Sequence, residues 1–232
     1  MTSRREQVRQ ATREEIKCIA REQMAAQGNA SISLHAIARA MGMTAPALYR
    51  YFPTSDDLIT ALVVDAYLAL AQAQETAYES QPTADPVTRL LAVVDAYRAW
   101  ALQHSTEFTL IYGTPIPGYS APAEITMPAA RRGLGILLKS VQGVVQAHAD
   151  TLPDLELASL PEFDRRLADA AQALEPGLDP RVLYLALVGW GMAQGLVYME
   201  LFHHVESIIG DSADLYRHTI RLWLKRLGVP LP

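Results

Sequence analysis

The sequence predicts an all-α fold, and three observations predict it. Apolar residues recur at helical spacing along nearly all of the 232-residue chain. No stretch keeps the strict alternation of a half-buried strand. Pro, Gly and capping residues cut the pattern into helix-sized pieces. Half of the residues are hydrophobic, which is enough for a sizeable core. Internal repeats and low-complexity tracts are absent from the sequence.

The elements follow in order. Ile16, Ile19, Ala20 and Met24 give a first helix one buried face, and Gly28-Asn29 is expected to end it. Ser33 is a candidate N-cap for a second helix with Leu34, Ile37, Ala38 and Met41 inside, stopped at Gly42. Thr44 is positioned to cap a third, very short helix with Pro46 in its first turn, where a missing N–H costs nothing. Phe52-Pro53 ends it, because Pro disfavours α conformation in the residue before it. Thr54 to Asp57 reads as a capping sequence opening a long helix over about 55–80. A break at 81–86 precedes a helix carrying Leu90, Leu91, Val94, Tyr97 and Trp100. Residues 104–112 read as a short helix and 113–128 as a long Pro- and Gly-rich loop. Helices are expected over 129–149 and 163–174, with 152–163 mostly loop. A linker at 175–180 leads to two closing helices, about 181–206 and 212–227. Division at residue 54 gives a small N-terminal domain, 1–54, and a larger one, 55–232.

Charge is unevenly placed. Residues 1–53 hold eight Arg and Lys against four Glu, a net of +4, so the remainder carries −9 of the total −5. A basic front on an acidic body directs attention to polyanions. The single cysteine, Cys18, excludes an internal disulfide and reads as a small core residue of the first helix. The opening MTSRREQVRQATREE is too polar for a secretory signal. No P-loop, G-x-S-x-G, H-E-x-x-H or dinucleotide fingerprint is present, which argues against the common enzyme classes. GWGMAQG spaces its glycines wrongly for dinucleotide binding. Adjacent His203 and His204 point about 100° apart on a helix and do not chelate simply. Neither metal nor cofactor is expected.

The second and third helices with the Gly turn between them form a helix-turn-helix. Leu48 and Phe52 face inward with Ile37, Ala38 and Met43. That leaves Ala45, Pro46, Ala47, Tyr49, Arg50 and Tyr51 on the outer face of the third helix. Small residues let a helix approach a major groove. Pro46 and Ala47 suit a thymine methyl, and Arg50 suits the two acceptors of guanine. Thr44, Tyr49 and Tyr51 offer hydroxyls to phosphates, contacts that set register without reading sequence. The same residues also fit a solvated surface helix. Arg4 and Arg5 suit either an arm along the DNA backbone or a solvated tail.

Residues 31–58, SISLHAIARAMGMTAPALYRYFPTSDDL, closely resemble the DNA-binding module of TetR/AcrR-family transcriptional regulators. The resemblance spans about residues 10–58 and is carried by IARAMGMT followed by LYRYF. It implies a dimeric all-α protein whose N-terminal module binds an operator in double-stranded DNA and whose C-terminal domain binds a ligand and dimerises. On the family pattern, Thr44 through Tyr51 supply most contacts, with Ser33 reaching a phosphate. Ser55 stands where the family usually has a lysine that touches a phosphate.

VLYLALVGWGMAQGLVYM, residues 182–199, carries no charge and touches the length of a membrane span. Its three glycines and central Gln194 argue instead for a fully buried helix, with Gly191 and Gly195 permitting close packing. With the following ELFHH, and with EFTLIYGTPIPGY, it resembles the C-terminal domain of a TetR subgroup marked by Trp and His-Gly. Trp190, Gly195 and Glu200 match, while Gln194 occupies the His position. Tyr97, Trp100, Phe108, Tyr112, Trp190, Gln194 and Tyr198 suit the wall of an effector pocket and equally suit ordinary core. Ile220, among other apolar residues of the last two helices, is expected at a two-fold dimer interface.

The reading is a cytoplasmic, nucleoid-associated bacterial regulator. It would be a homodimeric repressor of a palindromic operator, released by a small, mostly apolar effector, and would not be an enzyme. The alternatives are an activator or a regulator with no small-molecule ligand and, from another class, an all-α small-molecule-binding protein or enzyme that has lost DNA binding.

Overall fold

A computed structural model describes residues 3–27, 32–150, 152 and 160–232. Among the described residues there are eleven helices and no strand. They are α1 Arg4–Gln27, α2 Leu34–Ala40, α3 Ala45–Tyr49, α4 Ser55–Glu79, α5 Pro86–Gln103, α6 Ser105–Tyr112, α7 Ala123–Ala147, α8 Pro161–Leu174, α9 Pro180–Leu201, α10 Glu206–Ile209 and α11 Ser212–Arg226. The expected end of α1 at Gly28-Asn29 lies outside the described residues, as does most of the expected loop at 152–163.

The chain forms two compact units, Met1–Ala69 with His104–Arg131, and Leu70–Gln103 with Arg132–Pro232. Helices α4 and α7 each contribute to both. In the first unit Ile16, Met24, Leu34, Ile37, Leu48, Phe52, Leu58 and Leu62 form one buried cluster. Each large side chain so buried stabilises by roughly 1.5–3 kcal/mol. Helix α2 closes at Gly42, which has φ +63°. Met43 N–H donates to Ala38 O at 2.8 Å and Gly42 N–H to Arg39 O at 3.1 Å, the two bonds of a Schellman motif. This stop sets the turn from which α3 departs. Thr54 and Asp57 then cap α4 reciprocally: Asp57 N–H donates to Thr54 Oγ1 at 3.1 Å, and Thr54 N–H to Asp57 Oδ2 at 3.0 Å.

In the second unit α9 packs against α5, α8 and α11. Its buried face holds Val182, Leu183, Leu185, Ala186, Ala193 and Val197. Tyr216 of α11 is 1% exposed and donates its hydroxyl to Val94 O at 2.8 Å. Arg98 grips Glu200 bidentately, with Nε donating at 2.8 Å.

Several expectations need correction. Residues 123–128 are helix, not loop: Thr126 N–H and its hydroxyl both donate to Pro122 O, and Pro128 is carried inside α7. Helix α9 stops at Leu201, five residues early, because His203 adopts φ +55°. His204 N–H then donates to Met199 O and His203 N–H to Glu200 O, so a histidine fills the Schellman position usually held by glycine. Helix α9 is also not fully buried. Leu187 is 42% and Val188 39% exposed, and Gly191 and Gly195 are exposed and face open space. Among the described residues it is the one helix long and apolar enough to cross a membrane, yet its other face is core. Cys18 is exposed. It stands half a turn from Ile16 and Ala20, which take the inner positions.

Candidate nucleic-acid interface and apolar cavity

The first unit presents α3 on a frame of buried apolar residues. Leu48 and Phe52 are each 1% exposed, which fixes the rotation of this five-residue helix. Pro46, Tyr49 and Arg50 are consequently exposed, Ala45 and Ala47 half-buried. Thr44 occupies the N-cap position but makes no side-chain cap bond. Its exposed hydroxyl is therefore available to a ligand. Ser33 caps α2, its Oγ accepting from Ala36 N–H at 3.3 Å. The hydroxyl proton of Ser33 is not used in that bond. Tyr51 is half-buried against the core cluster, so it offers less outer surface than its spacing suggested.

Two residues that spacing did not single out shape this face. His35 lies beside Tyr49, with Nε2 and the phenol oxygen 3.5 Å apart and the rings edge to face at 6.1 Å. Arg13 donates to Tyr51 O at 2.6 Å and stacks 4.1 Å over the Phe52 ring. The signal for His35 was its place in the first turn of α2. Arg13 carried none beyond its charge.

The eight cations of residues 1–53 divide into two sets. Lys17, only 7% exposed, lies 2.8 Å from Glu14 and 2.6 Å from Asp65. Arg21 lies 3.0 Å from Asp65 and 3.5 Å from Glu107. Together with Arg13 these hold the module together. Arg4, Arg5, Arg9, Arg39 and Arg50 are exposed and appear in no ion pair among the described residues. Helix α1 begins at Arg4, so this stretch is neither an extended arm nor a tail. Arg4, Arg5 and Arg9 line one open concavity with Ala47, Arg50 and Tyr51. Such a patch is what a sugar–phosphate backbone requires.

In the second unit, α4, α5, α7, α9 and α11 line a narrow, part-open cleft. Among the described residues its walls are apolar apart from Gln74, the Tyr97 phenol and the indoles of Trp190 and Trp223, and no charged residue lines it. Gly189 makes room for Trp223, since a Cβ there would stand 3.1 Å from the ring. Of the seven predicted pocket residues, Tyr97 and Trp190 line this cleft. Trp100 is 5% exposed and is not among its lining residues. Gln194 is half-buried, and the Tyr198 ring packs 4.4 Å from Phe202. Phe108 and Tyr112 belong to the first unit, with ring centroids 5.3 Å apart. Burial pushes the Tyr112 phenol well above its ordinary pKa. Ile220 is 5% exposed and lines the cleft, which corrects its expected place at an outer interface. Gln74 and Trp223 were missed. Gln74 falls every fourth residue after the buried Leu62, Ala66 and Leu70, a polar residue on an apolar stripe, and that was its signal.

Known proteins match both parts of the chain. Residues 19–62 match the family model of bacterial regulatory proteins, tetR family. Residues 90–222 match the tetracyclin repressor-like C-terminal domain. The HTH-type transcriptional regulator Rv1816 of Mycobacterium tuberculosis is 31% identical over 201 residues, 84% of each chain. The crystal structure of SCO4313, a candidate regulatory protein, superposes with a TM-score of 0.79 at 34% identity, covering 97% of this chain and 100% of that one. A bacterial regulatory protein of the tetR family from Rhodococcus RHA1 shares the fold, with a TM-score of 0.61 at 16% identity over 99% of this chain and 100% of that one. With its helix-turn-helix exposed and its family models matched over both parts, the chain belongs to the tetR family of bacterial transcriptional regulators, DNA-binding and dimerising proteins rather than an enzyme family.

Proposed function

We propose that the chain is a homodimeric repressor of a palindromic operator, released when a small, mostly apolar effector enters the cleft beside Tyr97 and Trp190. The observation that carries this reading is the outer face of α3. An exposed guanidinium and small residues stand on it beside three exposed arginines of α1, none of the four in an ion pair among the described residues. Arg50 reads guanine, and Ala45, Pro46 and Ala47 pack on base edges. Ser33, Thr44, Tyr49 and Tyr51 donate to phosphates, with His35 as a further contact. Arg4, Arg5 and Arg9 supply backbone charge in place of the lysine that Ser55 replaces.

Residues 1–54 do the reading and 55–232 the sensing and pairing. The exposed Leu187, Val188, Gly191 and Gly195 of α9, with Leu222 of α11 at 37% exposure, offer a close-packing face for a second copy. The protein works in the cytoplasm on nucleoid DNA. Helix α4 has residues in both units, so a ligand in the cleft acts on the helix that also packs in the DNA-reading unit. A ligand shifts an equilibrium only by its differential affinity for two states. The test is anisotropy of DNA from upstream of the chain's own gene, titrated at fixed salt, then challenged with uncharged apolar compounds. The expected result is sequence-selective binding that a subset of compounds reverses. The same compounds should act less on Trp190→Ala, whose DNA affinity is unchanged. Equal binding to unrelated duplexes would refute the reading.

A further inference from the structure

We infer that Gln74 selects the effector, and that the effector is an uncharged apolar molecule bearing one carboxamide-like group, a lactam or primary amide. The inference rests on the cleft being the effector site.

Gln74 is 5% exposed and lines the cleft. Its carboxamide makes no hydrogen bond or ion pair among the described residues. By contrast its neighbours on α4 are engaged: Gln72 accepts from Arg132 at 3.2 Å and Glu75 at 2.6 Å. A carboxamide carries two donors and an acceptor with two lone pairs. Left without a partner against an apolar wall, such a group is costly. A leucine would fill the same space without that cost, so the amide is held for a partner.

Its position is also built. Gly133 of α7 faces it, and a Cβ at Gly133 would stand 3.2 Å from Gln74 Oε1 and 3.8 Å from Ala71 Cβ. The glycine leaves the amide its place close to the facing helix. The remaining lining decides the rest of the ligand. Tyr97, Trp190 and Trp223 suit a flat or cyclic apolar body. With no charged residue among the described residues of the lining, an ionised ligand would be desolvated without a counterion, which is costly. A group that donates and accepts side by side pairs with a carboxamide in two parallel bonds, whereas a ketone or ether satisfies only one.

The experiment titrates the intact protein with benzamide, acetophenone, isopropylbenzene and benzoate, reading indole fluorescence and, separately, operator release. Wild type should prefer benzamide to acetophenone by several fold and reject benzoate. Gln74→Leu should lose benzamide affinity about tenfold while binding isopropylbenzene within about twofold of wild type. Gly133→Ala, which is favourable for helix α7 and pushes only on the amide, should lose benzamide affinity in the same direction. Thermal melts of both variants establish that they fold. If benzamide binds wild type and Gln74→Leu equally, Gln74 selects nothing, though the cleft stands as a site. Preferential binding of benzoate overturns the uncharged class. If no compound binds while operator binding is intact, the cleft itself is not the effector site and both readings fall.

Discussion

Arg13 and Arg50 lie in the same small module and do different work. Arg13 donates to the Tyr51 carbonyl and covers Phe52, so its charge is spent on holding α3 against α1. Among the described residues Arg50 has no such partner, and it is exposed at the end of α3. Arg50→Ala should therefore weaken specific binding by roughly 1–3 kcal/mol and relax preference at one base pair per half-site. Anisotropy on a set of single-base operator variants measures both. A uniform loss across all sequences would make Arg50 a phosphate contact. Asp65 is the counter-charge shared by the buried Lys17 and by Arg21. Asp65→Asn should lower stability by roughly 1–2 kcal/mol, discounted because Asp65 is part-exposed and Glu14 still pairs with Lys17. A denaturant melt reads it. At this scale the sequence was legible where period decides burial, as at the buried Leu48 and Phe52 and the exposed Arg50. It was not legible where a contact depends on a distant element. Nothing local distinguishes Arg13 from Arg9, and only the fold puts Gln74 across from Gly133.

Helices were read from sequence wherever the stop is written in residue type. Gly42, Pro53 and the Thr54–Asp57 cap place α2, α3 and the start of α4 where they are expected. The miss at α9 has a different origin. Its end at Leu201 relies on a histidine with positive φ, a conformation sequence assigns to Gly or Asn first. The loop expected over 113–128 was overextended because Pro128 reads as a breaker, while the bonds to Pro122 O start α7 before it. Helix α1 gives this scale its test. It runs unbroken from Arg4, so Arg4, Arg5 and Arg9 lie at fixed positions beside α3. Replacing all three by Gln should flatten the dependence of log affinity on log salt by roughly 0.9 for each arginine that touches a phosphate. An unchanged slope would put this end of α1 off the DNA.

Across the molecule, the all-α class and the tetR membership were both legible, since they rest on pattern and on a short motif. The residues of the apolar cleft were legible only in part. Aromatic residues at helical spacing serve core and cavity alike, and two of the seven candidates lie in the first unit. The dimer face was misassigned at Ile220 for the same reason, because an apolar residue on a helix does not say which apolar surface it meets. Leu187, expected on the same face, is exposed, and we propose that the face lies there. Leu187→Asp should leave a folded chain with half the mass of wild type by light scattering and little operator affinity. Ile220→Asp should instead unfold the second unit, since it buries a carboxylate beside the cleft. A Leu187→Asp protein of unchanged mass would move the interface elsewhere.

The most direct test of operator reading by α3 is selection of the full chain against random duplex DNA at physiological salt, followed by sequencing of what it retains. Paired recognition helices predict an enriched inverted repeat, its half-sites centred about one helical turn, or roughly 10 base pairs, apart or at a multiple of that. Retention without sequence enrichment, or enrichment of a single asymmetric site, would contradict it.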